Sequence, residues 1–431
     1  MRAASHLPGM PHPPASARVE DVARVWESMG AARERWLANP LVDRVATVAR
    51  VAVALLESGP GAWREALERS TGFSSGGLDA AWRTTFAPVD AASLREALRA
   101  EGLDAVESRH LGQRGLLPRR IVHVVPGNVF PATFTMLVRG WLLGAAQWLR
   151  PSEREPSFAA CIAVLLSDLA PELAAMTAVL WWPRRGSGVE RAVLAGADVV
   201  TCQGDDDSVE AVRRKAAEFA PAARFLGYGA RWSAAILSGQ AQTSDTARSV
   251  AHDVMLFDQQ GCLSPTLVLA EGGPRLEAWC DDLARHLDWW ETNGAARGEV
   301  SEAGRAALRR WRESMRLGVA LGEVERLWES PGSTAWAVAL LGTCRYEPSP
   351  RGRHVVVAPF EGRDEIETGL GGMRSRLQGL AADLQGWDRE RARDVLDLLQ
   401  PARVAPPGTL QLAPPGWVQD HLPPLRSLLR A

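Results

Sequence analysis

Ile121-Val122-His123-Val124-Val125-Pro126-Gly127-Asn128-Val129-Phe130-Pro131 is a strand-like run that breaks at a Pro-Gly-Asn turn and leads into an apolar helical segment, residues 132–143. The β-branched residues of 121–125 favour an extended backbone, and the proline, glycine and asparagine end it. The same alternation continues downstream. Residues 145–149 read as a strand ending in Arg150-Pro151-Ser152-Glu153, 158–169 as a helix, 179–182 as a strand and 189–194 as a helix. A strand at 198–202 meets the turn Gly204-Asp205-Asp206-Asp207-Ser208, which opens a helix at 209–219 before strands at 225–227 and 234–237. Strand, turn and helix at this spacing describe an α/β fold, an open parallel sheet with helices on both faces. Ligands of such sheets lie beyond the carboxyl ends of the strands.

A second stretch, Phe257-Asp258-Gln259-Gln260-Gly261-Cys262-Leu263-Ser264-Pro265, sets a cysteine after a polar, glycine-containing turn and before the run Thr266-Leu267-Val268-Leu269. The Cys262 thiol is thereby expected at the mouth of a strand, close to backbone N–H groups. A second α/β segment follows, with helices at 275–287 and 302–316, a strand at 354–357 and mostly helix over 365–399. Upstream, 19–101 is helical. Val22, Val25, Trp26 and Met29 recur at three- and four-residue steps, with breaks at Ser58-Gly59-Pro60-Gly61 and Ser74-Ser75-Gly76-Gly77. The tryptophans of this prelude read as core or interface residues. The expected organisation is a disordered leader at 1–18, prelude and first sheet at 19–255, a cysteine-bearing segment at 256–400, and an extended clasp at 401–431. That clasp is expected over another surface, such as a subunit partner's.

The chain has 431 residues, which suggests two domains, and a net charge of -2, which calls for neither nucleic acid nor a membrane surface. No uncharged apolar run reaches the length of a membrane span. Lys215 is the sole lysine and sits in a polar segment expected to be solvated, a poor setting for Schiff-base chemistry. Cys161, Cys202, Cys262, Cys280 and Cys344 are widely spaced, without a Cys-x-x-Cys pair. With no signal peptide visible, a reducing cytoplasm is expected and a structural zinc site is not.

Pro126-Gly127-Asn128-Val129-Phe130-Pro131, Leu149-Arg150-Pro151-Ser152-Glu153 and Gln259-Gln260-Gly261-Cys262, in that order, resemble the aldehyde dehydrogenase superfamily. His123-Val124-Val125-Pro126-Gly127-Asn128, the whole 257–265 stretch and the tail Pro407-Gly408…Pro414-Pro415…Trp417 resemble its acyl-CoA reductase branch, the fatty-acyl-CoA reductases of bacterial bioluminescence. The likeness runs from about residue 116 to the end. It implies an aldehyde dehydrogenase-like fold, with a Rossmann-type parallel-sheet cofactor domain, a second α/β catalytic domain and the helical prelude. It also implies Cys262 as nucleophile and Asn128 as oxyanion-binding amide. A nicotinamide cofactor would be contacted by Arg150, Ser152, Glu153 and Gly204: NADPH, with NADH the alternative. The implied partners are acyl-CoA or an acyl-carrier thioester, an acyl-transferring enzyme and further copies of the chain; no metal is implied.

The residues can be weighed on their own chemistry. A thiolate exchanges one thioester for another at little thermodynamic cost, and its power depends on a lowered thiol pKa. Near Cys262 in sequence only N–H dipoles could lower it, since no histidine is close; the competing reading is a buried structural cysteine. Asn128 could donate to a tetrahedral oxyanion or simply serve its turn. The Arg150 fork suits a 2′-phosphate, whereas Glu153 suits ribose hydroxyls; the plain alternative is a surface ion pair. Asp205-Asp206-Asp207 cap a helix rather than admit a pyrophosphate. Where aldehyde-oxidising members of the superfamily carry a glutamate, the comparable stretch is Arg224-Phe225-Leu226-Gly227-Tyr228-Gly229, without a base to hydrolyse an acyl-cysteine. His123 could relay protons but reads more readily as a satisfied core residue. The expected activity is reduction of an acyl thioester to an aldehyde through an acyl-cysteine. The alternatives are oxidative aldehyde dehydrogenation, acyl-phosphate reduction and a non-catalytic role in an acyl-reducing assembly.

Overall fold

β1 (Arg120–Val124) and β2 (Ala146–Arg150) pair in parallel with Val124 beside Arg150, and β3 (Thr177–Val179) continues the sheet outward from β2. A computed structural model describes residues 18–182 and 188–430; all of the expected leader except Arg18 lies outside the described residues. β4 (Val199–Gln203) then pairs with the opposite edge of β1, and β5 (Arg224–Tyr228) with β4. The order β3-β2-β1-β4-β5 is entirely parallel and reverses its direction of growth between β1 and β4. In open α/β sheets this switch point is where a crevice opens at the strands' carboxyl ends.

One face of the sheet, with Val122, Trp148, Ala178 and Val200, packs against Val22, Val25, Trp26 and Met29 of the helix Val19–Ala38. The Trp26 and Trp148 rings lie 5.3 Å apart, and Trp36 Nε1 donates to the Trp141 carbonyl at 2.9 Å. The three- and four-residue periodicity of the prelude thus becomes a buried stripe, and its tryptophans are core.

The second sheet takes the order β12-β11-β6-β7-β10-β9-β8. Its strands are β6 (Trp232–Leu237), β7 (Pro265–Glu271), β8 (Val324–Glu329), β9 (Ala337–Leu341), β10 (His354–Phe360), β11 (Leu377–Asp383) and β12 (Arg403–Ala405). All pairs are parallel except β8 with β9. Leu267, Leu269, Val356, Ala358 and Leu380 form its core with Trp311 and Met315 of the helix Glu302–Leu321.

Several expectations need correcting. Residues 365–399 are interrupted by β11, whose Leu377, Leu380 and Ala381 are buried between β6 and β12. A strand covered on both faces lacks the alternating pattern that would mark it, and reads like buried helix. For the same reason the wholly buried β9 escaped notice. The strand expected at 179–182 ends at Val179. The break expected at Ser74–Gly77 falls earlier, at residues 72–74, and the helix Ser75–Phe86 starts within the expected stretch.

The described chain gathers into two compact units, one from residues 18–71, 82–182, 188–230 and 414–430 and one from 72–81 and 231–413. The division expected at 255/256 falls inside the second unit, because β6 hydrogen-bonds to β7 and β11. The C-terminal clasp closes on its own chain. Arg139 donates to the carbonyls of Pro415 and Trp417, and the Glu101 carboxylate accepts from Leu425 and Arg426 N–H. Among the described residues no helix is long and apolar enough to cross a membrane.

Candidate active site

The Cys262 turn is built at the amino ends of the neighbouring strands β6, β7 and β10. After the helix Ser244–Met255 the backbone passes through Phe257 (φ 55°), Asp258 (φ 49°) and Gln259 (φ 62°), successive left-handed residues, none of them glycine. Each such residue costs on the order of 1–3 kcal/mol and persists only where its surroundings enforce it. Here side chains do the enforcing. The Asp258 carboxylate accepts from Arg353 Nε and Nη2 at 3.0 and 2.7 Å and from Gly298 N–H at 3.1 Å. Fully buried Gln259 donates through Nε2 to the carbonyls of Pro265 and His354 at 2.7 and 2.9 Å, while its Oε1 accepts the His354 N–H at 2.9 Å. Arg353 itself comes from a matching left-handed turn, Arg351 (φ 64°), Gly352 (φ 62°) and Arg353 (φ 66°), at the start of β10.

Cys262 follows, half-buried, just ahead of β7. Gly261 N–H donates to Ser264 Oγ at 3.2 Å, and the Cys262 carbonyl accepts from Ser233 Oγ at 2.6 Å. Arg351 was not among the residues singled out from the sequence, yet its guanidinium lies on this turn. Nη1 donates to the carbonyls of Gln260 and Gly261 at 3.1 and 3.0 Å, and Nη2 to that of Arg231 at 3.2 Å. Burial lowers the Arg351 pKa while the negative form of Cys262 raises it, so cation and thiol are electrostatically coupled.

Of the other cysteines, Cys161, Cys202 and Cys280 are buried and Cys344 is half-buried. Burial pushes their thiols up, Cys202 to about 12 and Cys344 to about 11, with Cys161 and Cys280 raised further. His354, at the edge of the turn, donates from Nδ1 to the Gly352 carbonyl at 2.9 Å, so Nε2 accepts Arg312 Nε–H at 3.1 Å. Burial pushes its pKa down to about 3, leaving a neutral ring engaged on both sides.

In the first unit, Asn128 is exposed in the loop that follows β1. A Cβ at Gly127 would fall 2.4 Å from Ser152 Oγ, so only glycine lets this loop settle on the segment after β2. The Asn128 turn and the Arg150–Ser152–Glu153 cluster are therefore brought together at the carboxyl ends of paired strands. Arg150 Nη2 donates to the Trp182 carbonyl at 2.9 Å, Ser152 Oγ accepts Arg154 N–H at 3.2 Å, and Glu153 is exposed. Gly204, beyond the end of β4 across the switch point, donates its N–H to the Tyr228 carbonyl at 3.1 Å. A Cβ there would meet only Ser208 Cβ at 3.4 Å, an ordinary contact.

Asp205 caps the helix Asp206–Phe219 by accepting Ser208 N–H at 2.6 Å, as its position after β4 predicted. Lys215 of that helix is not left to solvent: its Nζ pairs with the buried Glu190 at 2.8 Å. His123 is buried within β1, accepting at Nδ1 from Thr201 Oγ1 at 2.7 Å and donating from Nε2 to Gln147 Oε1 at 3.0 Å, a core residue rather than a relay.

These groups can be tested against the nicotinamide dinucleotide that the sequence resemblance implies. At the end of β2 a guanidinium, a hydroxyl and an exposed carboxylate supply the donors and acceptor that an adenosine ribose needs. The helix terminus after β4 does not suit the phosphates, because Asp205, Asp206 and Asp207 already place carboxylates on it. The residues fit the ribose end of the group, with its phosphates kept off that terminus.

The family profile described as acyl-CoA reductase (LuxC) matches residues 78–431. The long-chain acyl-protein thioester reductase of Aliivibrio fischeri is 24% identical over 314 residues, covering 72% of this chain and 62% of that protein. Long-chain acyl-protein thioester reductase 2 of Photobacterium leiognathi is 28% identical over 177 residues, 40% of this chain and 36% of that protein. The chain thus spans less than two thirds of the length of these curated relatives. Among solved structures, an aldehyde dehydrogenase from Brucella melitensis biovar abortus 2308 superposes with a TM-score of 0.68 at 14% identity, covering 91% of this chain and 82% of that one. An NAD-dependent benzaldehyde dehydrogenase from Corynebacterium glutamicum gives 0.64 at 14% identity, covering 95% and 92%. The fold is that of the aldehyde dehydrogenases, and with the profile running from the prelude through the Cys262 turn to the tail, the chain belongs to the acyl-CoA reductase (LuxC) family.

Proposed function

We propose that the chain reduces an acyl thioester, acyl-CoA or an acyl-carrier conjugate, to the aldehyde through an acyl-cysteine on Cys262. The observation that carries this reading is the enforced turn. The molecule accepts consecutive strained residues and a buried ion pair to hold one half-buried thiol at the entry of β7, beside the Arg351 guanidinium. The Cys262 thiolate attacks the thioester carbonyl. The Cys262 N–H receives the oxyanion, with the Asn128 amide the further donor that the family resemblance implies, and the departing thiolate takes up a proton as the acyl-cysteine forms.

Arg150, Ser152 and Glu153 would hold the ribose end of a nicotinamide dinucleotide, with Gly204 leaving its backbone open across the switch point. The Arg150 guanidinium favours NADPH over NADH. When bound in reduced form, that group supplies the hydride. Afterwards the Cys262 sulfur departs as a thiolate and the aldehyde is released. β5 offers Arg224, Phe225, Leu226, Gly227 and Tyr228 and no carboxylate to activate water, which supports reduction over hydrolysis.

Intact mass spectrometry after incubation with a panel of acyl-CoAs tests the reading. One acyl group is expected, confined to the Cys262 peptide, absent from Cys262→Ala, and discharged as aldehyde on adding NADPH. An adduct retained by Cys262→Ala, or none on the wild-type chain with any acyl donor, would end it.

A further inference from the structure

The Cys262 thiol has to ionise near neutral pH to act, and nothing close in sequence supplies a cation. The fold supplies one from β10. We propose that Arg351 is the positioning residue of the cysteine turn, holding its backbone by the carbonyls and favouring the Cys262 thiolate with its charge. This rests on the assignment of Cys262 as the acyl acceptor.

The argument is geometric first. Arg351 Nη1 reaches the carbonyls of Gln260 and Gly261, the two residues directly before the cysteine, at 3.1 and 3.0 Å. Nη2 reaches the Arg231 carbonyl ahead of β6 at 3.2 Å, so one planar fork ties together the entries of two neighbouring strands. The side chain is aimed by its own left-handed backbone, φ 64°, a conformation disfavoured for arginine.

Other charged groups surround the turn, Arg231 beside the fork and Arg312 against His354 among them. Asp258 and Glu291 face Arg353 and Arg297, two carboxylates against two guanidiniums. His354 is held neutral by burial, and Tyr346, coupled to Arg351, has its phenol pushed up from its ordinary range. Arg376, on the far side of Tyr346, acts on that phenol, and Ser233 and Ser264 bring only hydroxyls. A guanidinium so placed stabilises the thiolate over the thiol, the usual means by which proteins lower a cysteine pKa.

The test is the pH dependence of iodoacetamide alkylation at Cys262, followed on its own peptide by mass spectrometry. In the wild-type chain the midpoint should fall at least about one unit below the ordinary thiol value of about 8.5. Arg351→Gln should raise it by about one unit or more, slowing alkylation at pH 7 close to tenfold, whereas Arg351→Lys should keep most of the shift. A wild-type midpoint at or above about 8.5 overturns the proposal without any variant. So does an Arg351→Gln profile that overlays the wild type, the outcome of a purely structural clamp. Loss of the acyl-cysteine reading would appear separately, as a low alkylation midpoint with no acyl adduct on Cys262.

Discussion

Asn128 and Gly127 show how much of the candidate site a single residue can carry. Gly127 lies so close to Ser152 that a methyl group would displace the loop. Asn128 is exposed beyond β1, where its amide can serve the turn or a bound oxyanion. An oxyanion donor is worth about 2.7–4 kcal/mol of transition-state stabilisation. Asn128→Ala should therefore lower kcat for acyl-CoA reduction by about 10²–10³, with KM little changed, because the bond strengthens as the oxyanion forms. Steady-state kinetics on the variant decides it: a loss below about threefold would make Asn128 a turn residue only. This residue and Cys262 could be singled out in the sequence as candidates, since each lies in a short motif beside a recognisable strand. Arg351 was not. Its role exists only once β10 lies beside β7 and brings the start of one strand to the mouth of another, a juxtaposition no local pattern encodes.

At the scale of elements, the turns 257–259 and 351–353 act as a pair. Each holds left-handed residues that would relax if separated, and each supplies side chains that fix the other. The Asp258–Arg353 ion pair is the joint between them, with the Arg353 side chain 1% exposed. Asparagine tolerates the left-handed backbone better than other residues of its size, so Asp258→Asn removes the charge without adding strain. Breaking one side of a buried pair costs about 3–5 kcal/mol, and the Arg353 contact with Glu291 puts the expected loss near the lower end, about 3 kcal/mol. Chemical denaturation followed by fluorescence should report that loss, with the Cys262 alkylation midpoint moving up towards the ordinary thiol value as the turn loosens. A loss below about 0.5 kcal/mol would show that packing holds these turns instead. Such a joint leaves little trace in the sequence: Asp258 and Arg353 are distant, and an Arg-Gly-Arg ahead of an apolar run reads as an ordinary loop.

Across the whole molecule, the first sheet was legible because its strands are separated by helices with clear periodicity. The second was only half legible, since β9 and β11 are buried on both faces and carry no alternation. The buried titratable groups stand apart from both motif and period, and they make a prediction about the entire chain. Burial holds His123 and His354 down to about 4 and 3, and lowers His252 as well. Their folded pKa values lie below the unfolded value, so each contributes stability that is present above about pH 6.5 and lost as pH falls through its folded value. Asp253 has the opposite sign. Burial pushes its carboxyl up to about 7 although the N–H groups of Gly408, Leu410 and Gln411 favour the anion. Its contribution is present below the ordinary carboxylate pKa and lost as pH rises through about 7. At pH 5.5, unfolding should therefore bind close to one proton at each of His123 and His354 and release close to one from Asp253. The balance is measurable without assuming that the two units unfold together, by pH-stat titration of an unbuffered sample as urea is added. Asp253→Asn deletes the released proton and should raise net uptake at pH 5.5 by about one, while steepening the acid limb of the stability curve by about 1.4 kcal/mol per pH unit. Identical uptake in the two proteins would mean that Asp253 is ionised in the fold, its charge held by the Gly408–Gln411 amides.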